Sequence, residues 1–329
     1  MILPEKLLIA QIRRAARARN SAICIRTGIG DDCAILRPPT IAGKPTDTLI
    51  TTDFTLEGIH FRRNWHSPES VGHRCLTRGL SDIAAMGGDP VAAFLSLALP
   101  RDLPQTWVRR FITSLLRLAE KYDVTLAGGD TAESPSGILA DIIVVGSVPK
   151  GEALLRSSAR PGDRIYVSGE LGGSAAAVLE MQKHPKRKLN PLDYPRHFFP
   201  EPRIELGRIL REKKLASAAA MIDTSDGLST DLAHICEESG VGAELEADTI
   251  PRAAVGKPSH EVDLELALHG GEDYELLFTV PGPERIPSRL AGVRITQVGH
   301  ITRSRGILLN RGGTANELKP QGWEHFRKT

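Results

Sequence analysis

Six aspartates of this chain stand where short apolar runs break into glycine, serine and threonine: Asp31 in GIGDDCA, Asp53 in TTDFTLEGIHF, Asp82 in RGLSDIAAMGGDP, Asp130 in LAGGDT, and Asp223 and Asp226 in IDTSDGL. Carboxylates kept off solvated helix faces in this way describe a shared Mg²⁺ cage that holds the phosphates of a nucleotide. Each alone reads equally well as a helix N-cap or a turn former, roles that Asp often fills. The whole set is harder to explain that way.

Around these acids, helical and strand patterns alternate. Glu5 to Ala18 reads as an amphipathic helix, Gly28 to Asp32 as a glycine-punctuated loop, and Thr48 to Thr52 as a strand that delivers Asp53 at its end. Ser67-Pro68 opens a helix that runs to about Ala85, with Gly87-Gly88 closing it. Asp82 then lies near a helix C-terminus, at the negative end of the dipole, where a cation would compensate it. Val91 to Leu99 is a predicted strand, Pro104 to Tyr122 a helix, Val124 to Ala127 a strand running into Gly128-Gly129-Asp130, and Ile138 to Val148 another strand.

A first domain, residues 1–150, ends there, and a second, residues 151–329, opens with the strand Arg164 to Ser168, a glycine loop and the helix Ala175 to Met181. Gln182 to Arg203 is polar and rich in Pro and His, an expected loop of about twenty residues, a length usually functional or mobile. A helix from Ile204 to Ala220, the loop after Ile222, a helix from Ser229 to Glu238, and strands around Ala243 to Glu246, Glu275 to Val280 and Arg294 to Gly299 complete an α/β domain.

Composition narrows the partners. Lys+Arg 42 against Asp+Glu 40 gives a net charge of only +2, and the one dense early basic group, Arg13, Arg14, Arg17 and Arg19, fits an outer helix face, so no nucleic acid is expected. Cys24, Cys33, Cys75 and Cys236 form no C-x-x-C pair and read as reduced thiols in the cytoplasm. No apolar run approaches the ~18 residues of a membrane span, so no membrane partner is expected. P-loop and Rossmann fingerprints are missing, as are G-x-S-x-G and H-E-x-x-H. His60 reads first as an ordinary surface or core histidine. Glu272 and Asp273, adjacent on a Gly-released backbone, could read donors or a cation on a substrate, or simply cap the turn.

These motifs, in this order and over nearly the whole length from GIGDDCA to Gly322-Trp323, resemble the thiamine-monophosphate kinases of the aminoimidazole ribonucleotide synthetase-like superfamily. The resemblance implies a two-domain α/β fold, an N-terminal mixed sheet that pairs in a homodimer, and ATP-dependent phosphorylation of thiamine monophosphate with several Mg²⁺ ions. It implies that Asp31, Thr51, Thr52, Asp53, Asp82, Asp130, Asp223 and Asp226 hold metal, with Asp53 and Asp226 most critical. Gly129, Asp130, Arg156 and Ser225 would contact ATP, while His60, Glu272 or Asp273, and Trp323 would line the thiamine site. The acceptor is already an anion, so no general base is expected.

The chain departs from the family pattern after Thr131, where Ala132-Glu-Ser-Pro-Ser-Gly follows, and at Ile112, where an aromatic would be sought against adenine. The same scaffold also admits an ATP-dependent enzyme acting on another phosphate or amide, or a catalytically silent ATP-binding regulator.

Overall fold

The computed structural model describes residues 25–27, 31–36, 45–212, 220–323 and 326. The expected helix Glu5 to Ala18, the glycines Gly28 and Gly30, and Cys24 lie outside the described residues.

The first sheet is built from β1 (Ile25–Thr27), β2 (Ala34–Leu36), β3 (Thr46–Leu56), β4 (Asp89–Leu99), β5 (Thr125–Glu133) and β6 (Leu139–Pro149), in the order β1-β2-β3-β6-β4-β5. It is mixed: β4 and β5 run parallel and the other neighbours antiparallel. Helices α1 (Pro68–Ala85) and α2 (Gln105–Lys121) cover one face. Ser67 accepts the Ser70 amide at 3.2 Å and Pro68 sits in the first turn, so α1 starts where cap chemistry requires. Leu49, Leu76, Leu80, Ile83, Phe111, Leu115 and Ile142 fill the space between sheet and helices. On the sheet's other face Phe54, Val91 and Phe94 are exposed.

β3 extends four residues beyond the expected strand end at Thr52, so Asp53 stands inside it. Asp47, Leu49, Thr51 and Thr55 point inward and are buried, whereas Thr52 and Phe54 point outward. Hydrophobicity fades in this segment because the inward residues meet polar groups of α1. Likewise the strand expected from Val124 to Ala127 does not stop before Gly128-Gly129-Asp130, which are part of β5. Gly129 has φ +146°, and a Cβ there would lie 1.8 Å from the Leu95 carbonyl oxygen, so glycine serves close pairing with β4.

The second sheet comprises β7 (Arg164–Ser168), β8 (Met221–Asp223), β9 (Gly242–Glu246), β12 (Leu276–Val280), β13 (Arg289–Leu290), β14 (Val293–Thr302), β15 (Gly306–Arg311) and β16 (Thr314–Glu317). β10 (Ala254–Val255) and β11 (His260–Glu261) form a separate small ribbon. The helices here are α3 (Gly173–Lys183), α4 (Pro195–Phe198), α5 (Ile204–Glu212), α6 (Leu228–Ser239) and α7 (Leu264–His269). Residues 213–219 lie outside the description, so the expected helix to Ala220 is seen only as far as Glu212.

The expected loop from Gln182 to Arg203 is anchored rather than free. His197 and Phe198 of α4 are buried, and Arg196 and Arg203 both donate to the buried Glu275 carboxylate, which also accepts from Ser168. His73 Nε2 bonds the Pro200 carbonyl oxygen at 2.8 Å, tying the same segment to α1.

Candidate active site

Four elements converge at one end of α1. From β3, Thr51 Oγ1 donates to Asp82 Oδ2 near the α1 C-terminus. From β8, Asp223 accepts the Ser81 hydroxyl at 2.6 Å. Asp32 joins them: carboxylate oxygens of Asp32, Asp82 and Asp223 all lie within 4.8 Å of one another. Hydroxyl donors orient two of the three acids and Arg156 pairs with the third, while the three carboxyl groups still crowd a single point that a bound cation would relieve.

The electrostatics record that crowding. Burial, and then Asp223, Asp32 and Asp53, push the Asp82 carboxyl well above its ordinary range. Burial and the neighbouring Asp32 raise Asp223 to about 8. Burial likewise raises Asp31 to about 7, with Asp32 adding to it, although Asp31 accepts the Arg156 amide at 3.2 Å. Asp231, on α6, is also pushed up, by burial and then by Asp226, and its Oδ2 accepts the Gly227 amide at 3.0 Å. The acids are hard oxygen donors of the kind Mg²⁺ prefers, so the set fits a divalent cation.

Beside the cluster opens a cavity of about 900 Å³. Asp53, His60, Arg78, Ser225, Asp226, Glu272 and Trp323 are among its lining residues. His60 hangs from the turn after β3, where its Nδ1 accepts the Leu56 amide at 2.9 Å; the proton of a neutral ring therefore sits on Nε2. Trp323 is 53% exposed at the rim. The chain reaches it by docking on the α6 entrance: Gly322 N donates to Thr230 Oγ1 at 3.1 Å and Trp323 N to the Asp226 carbonyl oxygen at 3.1 Å. A Cβ at Gly322 would lie 2.0 Å from that same oxygen.

Several expected site residues stand elsewhere. Asp273 is absent from the cavity lining; its carboxylate accepts the Gly172 and Ser174 amides at the start of α3, and burial raises it to about 7. Glu272 does line the cavity, yet both its oxygens are taken by Arg74 and Arg78. Burial opposes its ionisation, and the two guanidinium groups overcome that and hold it ionised. Thr52 borders the cavity, but its hydroxyl donates to Asp141 at 2.7 Å on the outer side of the sheet. Gly129 and Asp130 lie on the exposed edge strand β5, outside both cluster and lining. Arg156 is committed to Asp32 through Nε at 3.0 Å and Nη2 at 2.7 Å. Ile112 packs against the first core.

Asp32, Ser81, Arg78 and Asp231 were not legible as site residues. Asp32 adjoins Asp31 in the same motif, both side chains are buried, and a doublet of acids does not reveal which one joins the cluster. Ser81 and Arg78 are interior to a helix whose pattern looks structural.

The fold is that of the AIR synthase related proteins: residues 30–148 match that family's N-terminal domain and residues 160–309 its C-terminal domain. The chain is 40% identical over 320 residues to the thiamine-monophosphate kinase of Escherichia coli, covering 94% of this chain and 95% of that one. It is 34% identical to the Bacillus subtilis enzyme of the same name, covering 92% and 94%. A solved structure described as "AaThiL complexed with AMPPCP and TMP" superposes with a TM-score of 0.82 at 32% identity, covering 99% of each chain. The chain belongs to the thiamine-monophosphate kinase family.

Proposed function

We propose that this chain transfers the γ-phosphoryl group of ATP to the phosphate of thiamine monophosphate, giving thiamine diphosphate and ADP. One observation carries the reading: Asp53 and Asp226 line the cavity, and both also act on the acid cluster, Asp53 on Asp82 and Asp226 on Asp223. A phosphate entering from the cavity therefore arrives beside the carboxylates, where two anions can be brought end to end.

Mg²⁺ bound at the cluster would neutralise phosphate oxygens that otherwise repel one another. Asp32, Asp82 and Asp223 are its expected ligands, with Asp31, Asp53, Asp226 and Thr51 close by. The protein's own work is positioning. The hydroxyls of Thr51 and Ser81 fix the cluster carboxylates, and the Asp231 carboxylate holds the Gly227 amide and so shapes the loop that carries Asp226. Trp323 at the cavity rim and His60 on the turn after β3 are assigned to the thiamine moiety, the aromatic ring to its heterocycle. The acceptor phosphate is already ionised, so no side chain has to remove a proton before attack.

Gly129, Asp130, Arg156 and Ser225 are assigned to ATP, and the chain is assigned two domains divided near residue 150. It pairs as a homodimer through the open face of the first sheet; the outward Phe54, 52% exposed, and Val91, 50% exposed, support that face. Cys33, Cys75 and Cys236 are buried free thiols, which suits the cytoplasm. No described helix is long and apolar enough to cross a membrane.

The test is formation of ADP and thiamine diphosphate from ATP and thiamine monophosphate, with free thiamine as a parallel acceptor and Mg²⁺ removed as control. Product from the monophosphate alone, dependent on Mg²⁺, is expected. Product from thiamine, or none from either with ATP bound, would move the assignment to another acceptor.

A further inference from the structure

The cavity poses a charge problem of its own. Asp53, Asp226, Glu265 and Glu272 line it, and among its described lining residues Arg78 is the one Lys or Arg side chain. A phosphate monoester entering would meet an excess of negative charge unless a cation faces it.

Arg78 is placed for that task. It lies on α1 with its side chain 10% exposed, and it is clamped from two directions: Nη1 donates to Asp53 Oδ1 of β3 at 3.0 Å, and Nη2 donates to Glu272 Oε1 on the loop before β12. Glu272 adopts φ +64° and is held from behind by Arg74, whose side chain is 3% exposed and does not line the cavity. Arg74 is thus the structural member of the pair, and Arg78 the one that reaches the cavity. Its two clamps leave further N–H donors on the guanidinium, whose planar fork matches a phosphate. Fixing the side chain beforehand also lowers the entropy lost when a ligand is gripped.

We infer that Arg78 is a further substrate-binding residue, whose guanidinium grips the phosphate monoester of the acceptor from the cavity wall next to Asp53. The inference rests on the proposed function and adds a protein cation to the site. It makes the distinction between thiamine monophosphate and thiamine partly a property of this one side chain, before any ATP is present.

The test compares two affinities by isothermal titration in EDTA: thiamine monophosphate and thiamine, each against wild type, Arg78→Met and Arg78→Lys. For Arg78→Met the preference for the monophosphate over thiamine is expected to fall about tenfold to a hundredfold, the scale of a lost charge-assisted pair; Arg78→Lys should lie between. Dividing one affinity by the other cancels damage to the cavity's shape. Arg78→Lys keeps the charge opposite Asp53 and Glu272 but loses the planar fork, so it separates a grip on the phosphate from the mere loss of a positive charge. A wild-type ratio in Arg78→Lys would also overturn the grip. An unchanged ratio in Arg78→Met, including the case in which both ligands weaken equally, would overturn the inference and make Arg78 a structural pin. Failure of wild type to form thiamine diphosphate would instead strike the proposed reaction, and is read separately in the turnover assay.

Discussion

Neutralising Asp223 is expected to stabilise the metal-free protein, and to do so only above mildly acidic pH. With carboxylate oxygens of Asp32, Asp82 and Asp223 within 4.8 Å of one another, each ionised pair repels by about 3.5 kcal/mol at an effective dielectric of roughly 20. The molecule relieves part of this by holding protons: burial and Asp32 raise Asp223 to about 8, and Asp82 is raised too. A carboxyl raised in the folded state contributes stability while protonated. That contribution is complete below the unfolded value of about 4 and is lost as pH climbs through the folded value. Metal-free wild type should therefore lose thermal stability between about pH 4 and pH 8.

Asp223→Asn keeps an acceptor for the Ser81 hydroxyl, 2.6 Å away, and removes two repulsions at the loss of the attraction to Arg156. A net gain of about 2–4 kcal/mol at pH 8.5 corresponds to a rise in Tm of roughly 3–6 °C, with almost none at about pH 4. Mg²⁺ added back is expected to stabilise wild type by binding the folded state, and the variant much less. Scanning calorimetry in EDTA at both pH values, with Mg²⁺ then added back, reads all three effects. A variant that melts below wild type at pH 8.5, or that keeps the full Mg²⁺ response, would refute the crowded-acid account.

Other perturbations probe the scaffold and the rim. Glu275→Gln weakens the bonds to Ser168, Arg196 and Arg203 and leaves two guanidinium groups without their buried anion; a loss of about 3–5 kcal/mol is expected from urea unfolding. Gly129→Ala, with its Cβ 1.8 Å from the Leu95 carbonyl oxygen, should part β5 from β4, seen as loss of amide-exchange protection across both strands. Ser67→Ala removes the α1 cap and should cost about 1 kcal/mol with turnover retained. Trp323→Ala, at a residue 53% exposed, should leave Tm almost unchanged while raising KM for thiamine monophosphate about tenfold and leaving KM for ATP alone.

Much of this arrangement was readable from local chemistry. Ser67-Pro68 announces the start of α1, and the run Arg164 to Ser168 is the strand β7 at both ends. Reading failed where distant residues decide. β3 continues past Thr52 because its inward polar residues are satisfied by α1, with Thr51 on Asp82 and Asp53 on Arg78, contacts separated by 31 and 25 residues. The strand read as Val124 to Ala127 goes on through Gly128-Gly129, glycines that serve a close pairing with β4. The 182–203 segment, polar and proline-rich, looks loose until Glu275, more than 70 residues away, is seen to hold Arg196 and Arg203. Of the residues that the sequence singles out, the structure gathers Asp82 and Asp223 in the acid cluster and sets Asp226, His60 and Trp323 in the cavity wall. Side-chain direction is what separated Glu272, facing the cavity, from Asp273, turned to the α3 N-terminus.

The most direct measurement follows the label from γ-labelled ATP during turnover with thiamine monophosphate and Mg²⁺. Label appearing in thiamine diphosphate in equal amount to the ADP formed, and disappearing when Mg²⁺ is chelated, is the predicted result. ADP accompanied by labelled inorganic phosphate, with thiamine monophosphate unconsumed, would contradict transfer between the two phosphates.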